Sequence, residues 1–347
     1  MRATRWHGRG DIRVENVPRP EPAPDEALVR VLWCGICGTD LEEYREGPVT
    51  IPLTPHPTRG SAAPIILGHE IVGVIESAAA DGSGPAAGIV VVPDVVVGCG
   101  HCWWCRRHEE GLCANLSVRG QTEDGGLAEF MVALGSSMLV VPDGMDPSDA
   151  ALVEPASVAV RALRKLPELT GARLLVIGAG TIGQLVVRTG FALGASEIVV
   201  VDPRAGRRTL AARHGAAGVA SAAELVPLLP EATQGFDGVI ESSGAPGSLE
   251  DALEAVRRGG TVVALGIRPG TEALTVTNLV LGERRLIGSA AHLWDEDSRT
   301  ALDLIATGRL PVRDLVTHRV PLDRVVVDGV GALASGRDAL KVLVDCR

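Results

Sequence analysis

No apolar run in the 347-residue chain approaches the roughly 18 residues that a membrane-spanning helix needs. The first seven residues also lack the apolar core of about 7–15 residues that a secretory signal peptide carries. Positive charge is in the minority, since 33 Lys and Arg stand against 43 Asp and Glu and the net charge is −10. That balance argues against nucleic acid or an anionic membrane as the main partner. We therefore expect a cytoplasmic protein.

Four of the seven cysteines lie within one short segment, at positions Cys99, Cys102, Cys105 and Cys113. Four thiolates at these spacings can close a tetrahedral shell around one zinc ion. A pair of disulfides is the alternative, but the chain shows no other mark of an oxidised, secreted protein. Because four thiolates leave no open coordination position, the segment predicts a structural zinc rather than a catalytic one.

The first 150 residues contain short runs of strand-type residues separated by Gly and Pro. The runs are residues 27–33, 71–77, 89–92, 128–132 and 138–141. Runs of this length between turn signals predict an irregular, mostly antiparallel β domain. A loop from residue 47 to 64 with five prolines interrupts them. Long loops of this kind tend to be lids or interface elements, and a tolerated surface insertion is the alternative.

From residue 172 onwards the chain alternates buried-type strands with segments of helical length. The strand-type runs are residues 174–177, 198–201, 238–241 and 261–265. This alternation predicts right-handed βαβ units and a doubly wound parallel sheet that is covered on both faces. The chain as a whole is therefore predicted to be an α/β protein with a β-rich first part.

A glycine-rich turn joins the first of these strands to a helix and predicts a dinucleotide site. The turn reads Gly178, Ala179, Gly180, Thr181, Ile182, Gly183. Gly178 permits the tight turn, Gly180 lets the backbone approach a pyrophosphate, and Gly183 lets helix and strand pack closely. The diphosphate would lie on free N–H groups at the helix N-terminus. Simple turn residues are the alternative reading of these glycines.

Asp202 ends the next strand, at the interval expected for a carboxylate that binds the adenosine ribose. A carboxylate there accepts hydrogen bonds from the 2′-hydroxyl and repels a 2′-phosphate, which favours NAD over NADP. Arg204, Arg207 and Arg208 follow closely and could neutralise a phosphate. A helix N-cap before Pro203 is the alternative role for Asp202.

Three further motifs are weak alone and informative together: Cys34–Asp40, Gly68–Glu70 and Leu152–Pro155. With the four-cysteine segment and the dinucleotide motif, they make the chain resemble the zinc-dependent medium-chain dehydrogenase/reductase (alcohol dehydrogenase) family over essentially its whole length. The resemblance is greatest to the polyol branch of sorbitol, threonine and 2,3-butanediol dehydrogenases, and residues 40–48 look most similar to (R,R)-2,3-butanediol dehydrogenases.

The resemblance implies two domains. Residues 1–155 and 290–347 would form a mostly antiparallel, GroES-like catalytic domain, with the structural zinc lobe at residues 93–115. Residues 156–289 would form a doubly wound, Rossmann-type dinucleotide-binding domain.

The resemblance also assigns catalytic roles. Cys37, His69 and Glu154 would be the protein ligands of a catalytic zinc, and Glu70 would lie behind them, able to approach the metal. One thiolate, one imidazole and one carboxylate leave a fourth position open, as a catalytic zinc requires. The Thr39 hydroxyl would pass a proton outward.

The resemblance also implies further contacts to the cofactor. They are Thr181, Ile182, Arg207, Ser242, Leu265, Gly266 and Arg319. A surface salt bridge is the alternative role for Arg319. One residue departs from the family pattern, since many relatives carry His where this chain has Glu42. If that His helps to relay protons, a carboxylate in its place would alter the relay and the pH profile. A merely solvated side chain is the alternative role for Glu42.

The implied function is the NAD-dependent interconversion of a secondary alcohol (a vicinal diol, hydroxyketone or polyol) and its ketone, with two zinc ions per chain. A biosynthetic dehydrogenase of a cyclitol or amino-sugar hydroxyl is the alternative within the same class. A non-catalytic dinucleotide-binding scaffold is the alternative from another class. Relatives are dimers or tetramers, so we expect a homodimer or homotetramer, with residues 274–276 and 286–289 continuing a sheet across a twofold axis.

Overall fold

The computed structural model describes residues 1–228, 235–268, 270–335 and 339–347, with side chains of residues 226–228 left undescribed. The described chain divides into two compact units. Unit 1 comprises Met1–Glu154, His292–Gly308 and Val312–Arg347, and unit 2 comprises Pro155–Ala291 and Arg309–Pro311.

The strands are, in chain order, β1 (Arg2–Gly8), β2 (Asp11–Asn16), β3 (Glu26–Ile36), β4 (Ile65–Ile66), β5 (Glu70–Ser77), β6 (Val90–Pro93), β7 (Val96–Val97), β8 (Ser117–Val118), β9 (Phe130–Leu134), β10 (Met138–Val140), β11 (Arg173–Ile177), β12 (Glu197–Val201), β13 (Ala217–Val219), β14 (Phe236–Glu241), β15 (Val256–Ala264), β16 (Arg285–Gly288), β17 (Val316–Pro321) and β18 (Lys341–Asp345). The α-helices are α1 (Gly38–Glu46), α2 (Pro147–Ala150), α3 (Val153–Arg164), α4 (Thr181–Ala192), α5 (Ala205–Arg213), α6 (Ser248–Ala255), α7 (Val276–Leu281), α8 (Arg299–Ala306) and α9 (Gly331–Ala334). Among the described residues no helix combines the length and apolarity needed to cross a bilayer.

Unit 1 is built on a seven-stranded sheet in the order β10-β6-β5-β3-β18-β17, with β9 also paired to β3. Its pairings are antiparallel except for β17 with β18. A three-stranded sheet (β2-β1-β4) and the small β7-β8 pair complete the unit. The prediction of an irregular, mostly antiparallel domain is confirmed.

Unit 2 contains a parallel sheet of six strands in the order β13-β12-β11-β14-β15-β16. Val, Ile and Leu fill β11 and β12, and both strands are almost entirely buried, as strands covered on two faces must be. Chain order reverses at β11, where β12 lies on one side and β14 on the other. This is the doubly wound arrangement that the strand and helix alternation predicts, and it places the ligand crevice at the carboxyl ends of the strands.

Residues 274–276 form no strand within the chain, since residues 274 and 275 belong to no helix or strand and Val276 begins α7. The expected continuation of a sheet across a twofold axis stays a prediction. The second segment expected to extend a sheet is indeed extended: β16 is an edge strand of the parallel sheet and pairs with β15.

Candidate metal and dinucleotide sites

The four cysteines of the 99–113 segment converge. Their sulfur atoms all lie within 4.8 Å of one another. The Sγ atoms of Cys99 and Cys105 are 4.0 Å apart and those of Cys102 and Cys105 are 3.5 Å apart. A tetrahedron with Zn–S bonds of about 2.3 Å has edges of about 3.8 Å, so the spacing fits a zinc shell. All seven cysteines are free thiols, which removes the disulfide alternative.

Backbone N–H groups point at these sulfurs. The N–H of Cys105 donates to the Cys102 sulfur at 3.4 Å, and the N–H groups of Cys99 and Asn115 both donate to Cys113 at 3.4 Å. Backbone donation, chiefly from His101, lowers the pKa of Cys99 to about 6. Such donors stabilise thiolates, the form that zinc requires. The residues therefore fit a structural zinc.

A second group of donors in unit 1 gathers around His69. Cys37 precedes helix α1, Glu154 lies in the first turn of α3, and His69 immediately precedes β5. Gly68, with φ 94°, makes the turn that presents the imidazole, and a Cβ there would lie 2.6 Å from the Cys34 sulfur. Only glycine adopts this conformation without strain in so little space.

The electrostatics of His69 show which side chains face it. Burial alone lowers the pKa of His69, but Cys37, Asp40 and Glu154 together raise it well above its ordinary value. The Cys37 side chain hydrogen-bonds the ring, and Thr39 Oγ1 lies 3.4 Å from Nε2. The structure thus brings Cys37, Thr39 and Glu154 towards one imidazole.

The donor set suits a metal with an open coordination position. One thiol and one carboxyl, from Cys37 and Glu154, act on the His69 imidazole, and among the described residues its Nδ1 atom has no hydrogen-bond partner. Cys37, His69 and Glu154 are less tightly clustered than the four cysteines, which are the only group in the described parts of the chain whose donor atoms all lie within 4.8 Å. This chemistry fits a catalytic zinc.

Asp40 is a site residue to which the sequence motif assigns no role. Its Oδ1 lies 4.0 Å from His69 Nδ1, and its Oδ2 accepts the N–H of Cys37 at 2.9 Å. One carboxylate therefore holds the backbone of one candidate ligand and faces the ring of another, the usual outer support of a metal-binding histidine. Its place three residues after Cys37, where a capping carboxylate closes the helix start, is the available sequence signal.

Glu70 does not point its carboxylate freely at the site. Both of its oxygens lie 2.6 Å from Lys341 Nζ, which also donates to the Ile36 carbonyl at 3.0 Å. Both side chains of the pair are almost fully buried. No pattern in the sequence marks Lys341, because it is a single charge at the start of an apolar strand, 271 positions after Glu70.

The sequence motifs also assign no role to His292, which lies next to Glu154, or to Asp94, which lies next to His292. The Nδ1 of His292 lies 3.7 Å from Glu154 Oε1, and its Nε2 lies 3.0 Å from Asp94 Oδ1. The partners are far apart in sequence, so no local spacing could reveal them.

Glu42 is partly buried, and desolvation raises the pKa of its carboxyl, with Glu43 adding to the shift. Glu42 is therefore not a fully solvated side chain, and a part for it in proton relay stays a prediction.

The glycine turn of unit 2 has the geometry that its motif predicts. Gly178 lies in the left-handed region with φ 92°, and α4 begins at Thr181. A Cβ at Gly183 would collide with the Gly178 carbonyl oxygen, which explains the third glycine. At Gly180, of the residues whose placement is described, only Arg207 lies near the place of a Cβ, with its Nη1 at 3.7 Å. The backbone there is open to a ligand, and Ile182 follows it within the first turn of α4.

Asp202 is buried and anchors this turn. Its two oxygens accept the N–H groups of Ala179 and Arg204, each at 2.8 Å. Arg207 Nη1 lies 3.6 Å from Oδ2. Each carboxylate oxygen retains further acceptor capacity. The structure therefore places one negative and one positive group side by side where the ribose would bind.

The remaining predicted contacts of unit 2 meet at the same edge of the sheet. Ser242 Oγ donates to the Gly178 carbonyl at 3.0 Å, and the N–H groups of Leu265 and Gly266 donate to the Glu241 carbonyl at 2.7 and 3.1 Å. Arg319 belongs to unit 1, where it is exposed on β17.

The comparisons with known proteins agree with this geometry. Residues 23–143 match the model of the alcohol dehydrogenase GroES-like domain, and residues 181–307 match the zinc-binding dehydrogenase model. (R,R)-butanediol dehydrogenase of Bacillus subtilis is 31% identical, covering 99% of each chain, and the solved structure of that enzyme superposes with a TM-score of 0.91.

Two other relatives widen the range of activities and cofactors. L-threonine 3-dehydrogenase of Pyrococcus horikoshii is 33% identical over 90% of this chain and 88% of its own. The structure of a Sinorhizobium meliloti 1021 protein bound to NADP has a TM-score of 0.88 at 30% identity, covering 99% of this chain and 98% of its own.

Proposed function

Because the chain belongs to the zinc-dependent medium-chain alcohol dehydrogenase family, we propose that it oxidises a secondary alcohol of a vicinal diol, hydroxyketone or polyol with NAD. The gathering of Cys37, Thr39 and Glu154 around His69 is the observation that carries this proposal. A scaffold that only bound a dinucleotide would have no use for buried metal donors arranged with an open position. Similarity to named dehydrogenases favours neither this scaffold nor a cyclitol or amino-sugar enzyme.

Each residue of the site has a definable task. Zinc bound by Cys37, His69 and Glu154 would supply Lewis acidity that lowers the pKa of an alcohol hydroxyl. The Thr39 hydroxyl lies beside His69 Nε2 and can accept the departing alcohol proton while passing its own outward. Asp40, whose Oδ1 lies 4.0 Å from His69 Nδ1, would support the charge of that ring. A nicotinamide cofactor held by unit 2 would supply the hydride acceptor needed to convert the alcohol to a ketone.

The cofactor would bind through unit 2. Its pyrophosphate would lie on the N–H groups at the start of α4, next to Gly180, where the helix dipole favours negative charge. Asp202 supports NAD, because its charge repels a 2′-phosphate. Arg207 is the competing feature, since its guanidinium could pair with that phosphate.

The test combines metal content with turnover. We expect two zinc atoms per chain and reduction of NAD with butane-2,3-diol or another member of a diol and polyol panel. Cys37→Ser should remove one zinc and the activity while leaving the melting temperature of the four-cysteine lobe unchanged. One zinc per chain with no turnover across the panel, using either cofactor, would refute the proposal. We further propose a homodimer or homotetramer, which the molar mass in solution tests.

A further inference from the structure

His292 is a buried imidazole that the reaction described above does not use. It is 4% exposed, and three carboxylates face it, from Asp94, Glu154 and Asp297. Its Nε2 lies 3.0 Å from Asp94 Oδ1. Its Nδ1 lies 3.7 Å from Glu154 Oε1 and makes no hydrogen bond. One ring therefore connects a candidate zinc ligand to a second carboxylate.

Neighbouring hydrogen bonds hold the Asp94 carboxylate and the backbone that follows His292. The N–H of Asp94 donates to the Ser137 carbonyl at 2.8 Å, and Asp94 Oδ1 also accepts the N–H of Val96 at 3.1 Å. On the other side, Asp297 Oδ2 accepts the N–H of Leu293 at 2.9 Å, and its own N–H donates to the Leu293 carbonyl at 2.7 Å. The Asp94 carboxylate cannot move without breaking these contacts, and the backbone that follows the ring is locked as well.

Glu154 lies in the first turn of α3, and its carboxylate is carried on a side chain with three rotatable bonds. His292 is an outer partner of that carboxylate, with its Nδ1 3.7 Å from Oε1. Metal-binding side chains generally have such partners, and their loss commonly reduces metal affinity about 10–100-fold.

We propose that His292 is a positioning residue, which orients the Glu154 carboxylate for the catalytic zinc and is itself held by Asp94. The proposal depends on the role of Glu154 in the proposed function. It assigns His292 no contact with substrate or cofactor. Its chemical basis is that one buried ring faces Asp94 through Nε2 at 3.0 Å and Glu154 through Nδ1 at 3.7 Å.

The test measures the metal rather than turnover alone. Zinc at the catalytic position is exchanged for cobalt, whose visible absorption bands report coordination geometry, and metal loss is followed against a competing chelator. We expect His292→Phe to weaken binding at this position about 10–100-fold and to shift the cobalt bands. His292→Gln, whose amide N–H can still donate, should recover part of both. The four-cysteine metal should be retained throughout.

The matched control is His7→Asn. His7 Nε2 also faces a carboxylate, Glu15 Oε1 at 3.0 Å, but within the β1-β2 pair. This variant should keep the wild-type metal affinity and spectrum. A His292→Phe protein with wild-type affinity and unshifted bands would overturn the proposal. If that variant does not fold, Asp94→Asn provides the test, because it keeps the imidazole and weakens the contact between His292 and residue 94. Shifted cobalt bands in Asp94→Asn would support the proposal, and unchanged bands would overturn it.

Failure of the proposed function would look different. A wild-type chain that takes up no metal beyond the four-cysteine site, or a Glu154→Gln variant with undiminished metal affinity, would remove Glu154 from the zinc shell. In that case the proposed function fails at its own premise. Loss of metal in Glu154→Gln with no effect in His292→Phe refutes the positioning role alone.

Discussion

Replacing Lys341 by Met should destabilise unit 1 strongly, because it leaves the buried Glu70 carboxylate without its cation. Lys341 Nζ contacts both Glu70 oxygens at 2.6 Å, and the side chains are 3% and 1% exposed. Removing one partner of a buried ion pair costs about 3–5 kcal/mol. For a unit of about 200 residues, that corresponds to a fall of roughly 6–20 °C in melting temperature.

The double variant Glu70→Met/Lys341→Met separates this cost from simple loss of packing. Replacing both charges with apolar side chains of similar volume is commonly neutral or stabilising. The double variant should therefore melt near the wild type, well above Lys341→Met. Calorimetry on the full chain measures all three proteins.

The pH dependence provides a second check on the same pair. Burial lowers the pKa of Lys341, but Glu70 raises it, and the net shift is upward from the ordinary value. A raised folded-state pKa means that the stabilising contribution is complete below the unfolded value of about 10.4. It is lost only as the pH rises through the higher folded value, so the gap between wild type and Lys341→Met should stay constant from about pH 7 to 10. A gap that is absent, or a double variant as unstable as the single one, would refute the reasoning.

Three other predictions concern the lobe, the cofactor and a surface histidine. Cys102→Ser should lose one zinc per chain and melt several degrees lower, because structural zinc contributes directly to folding; wild-type melting and zinc content would contradict this. Asp202→Ser should shift the NAD/NADP ratio of kcat/KM towards NADP by roughly tenfold or more, because a hydrogen bond to a charged group contributes about 1.5–3 kcal/mol. An unchanged ratio would remove Asp202 from the ribose site. The hydrogen bond to Asp295 raises the pKa of His108. The stabilisation from this ion pair is therefore complete below about pH 6.5, and it is lost as the pH rises through the raised pKa of the folded state. Proteolysis of the lobe should accelerate over that pH range in the wild type, and Asp295→Asn should lose this pH dependence. The same pH profile of proteolysis in both proteins would count against a stabilising ion pair.

Local spacing in the sequence was sufficient for features whose parts lie close together along the chain. The four cysteines and the Gly178–Gly183 turn belong to this class, because a short loop or a strand-turn-helix unit determines their geometry. Period and strand length likewise predict the parallel sheet of unit 2. Residues 274–276 form no strand within the chain, since β-type composition in a short segment does not fix its pairing.

The outer support of the site was not predictable in this way. Lys341 meets Glu70 across 271 positions, and His292 meets Asp94 across 198. Lys341 on β18 and Glu70 on β5 are brought together because both strands pair with β3. His292 and Asp94 lie outside the strands, and no local pattern encodes either contact.

The missed residues have a common physical logic. Burying a charge is expensive unless a partner compensates it, so a fold concentrates buried charges where chemistry needs them. In unit 1, Asp40 faces His69, Lys341 neutralises Glu70, and His292 faces Glu154. Each pair joins a residue that the family resemblance assigns to the catalytic centre with one that the sequence motifs left without a role. The motifs therefore identify the groups that would contact zinc or substrate, and the fold supplies the opposite charges that allow those groups to be buried there.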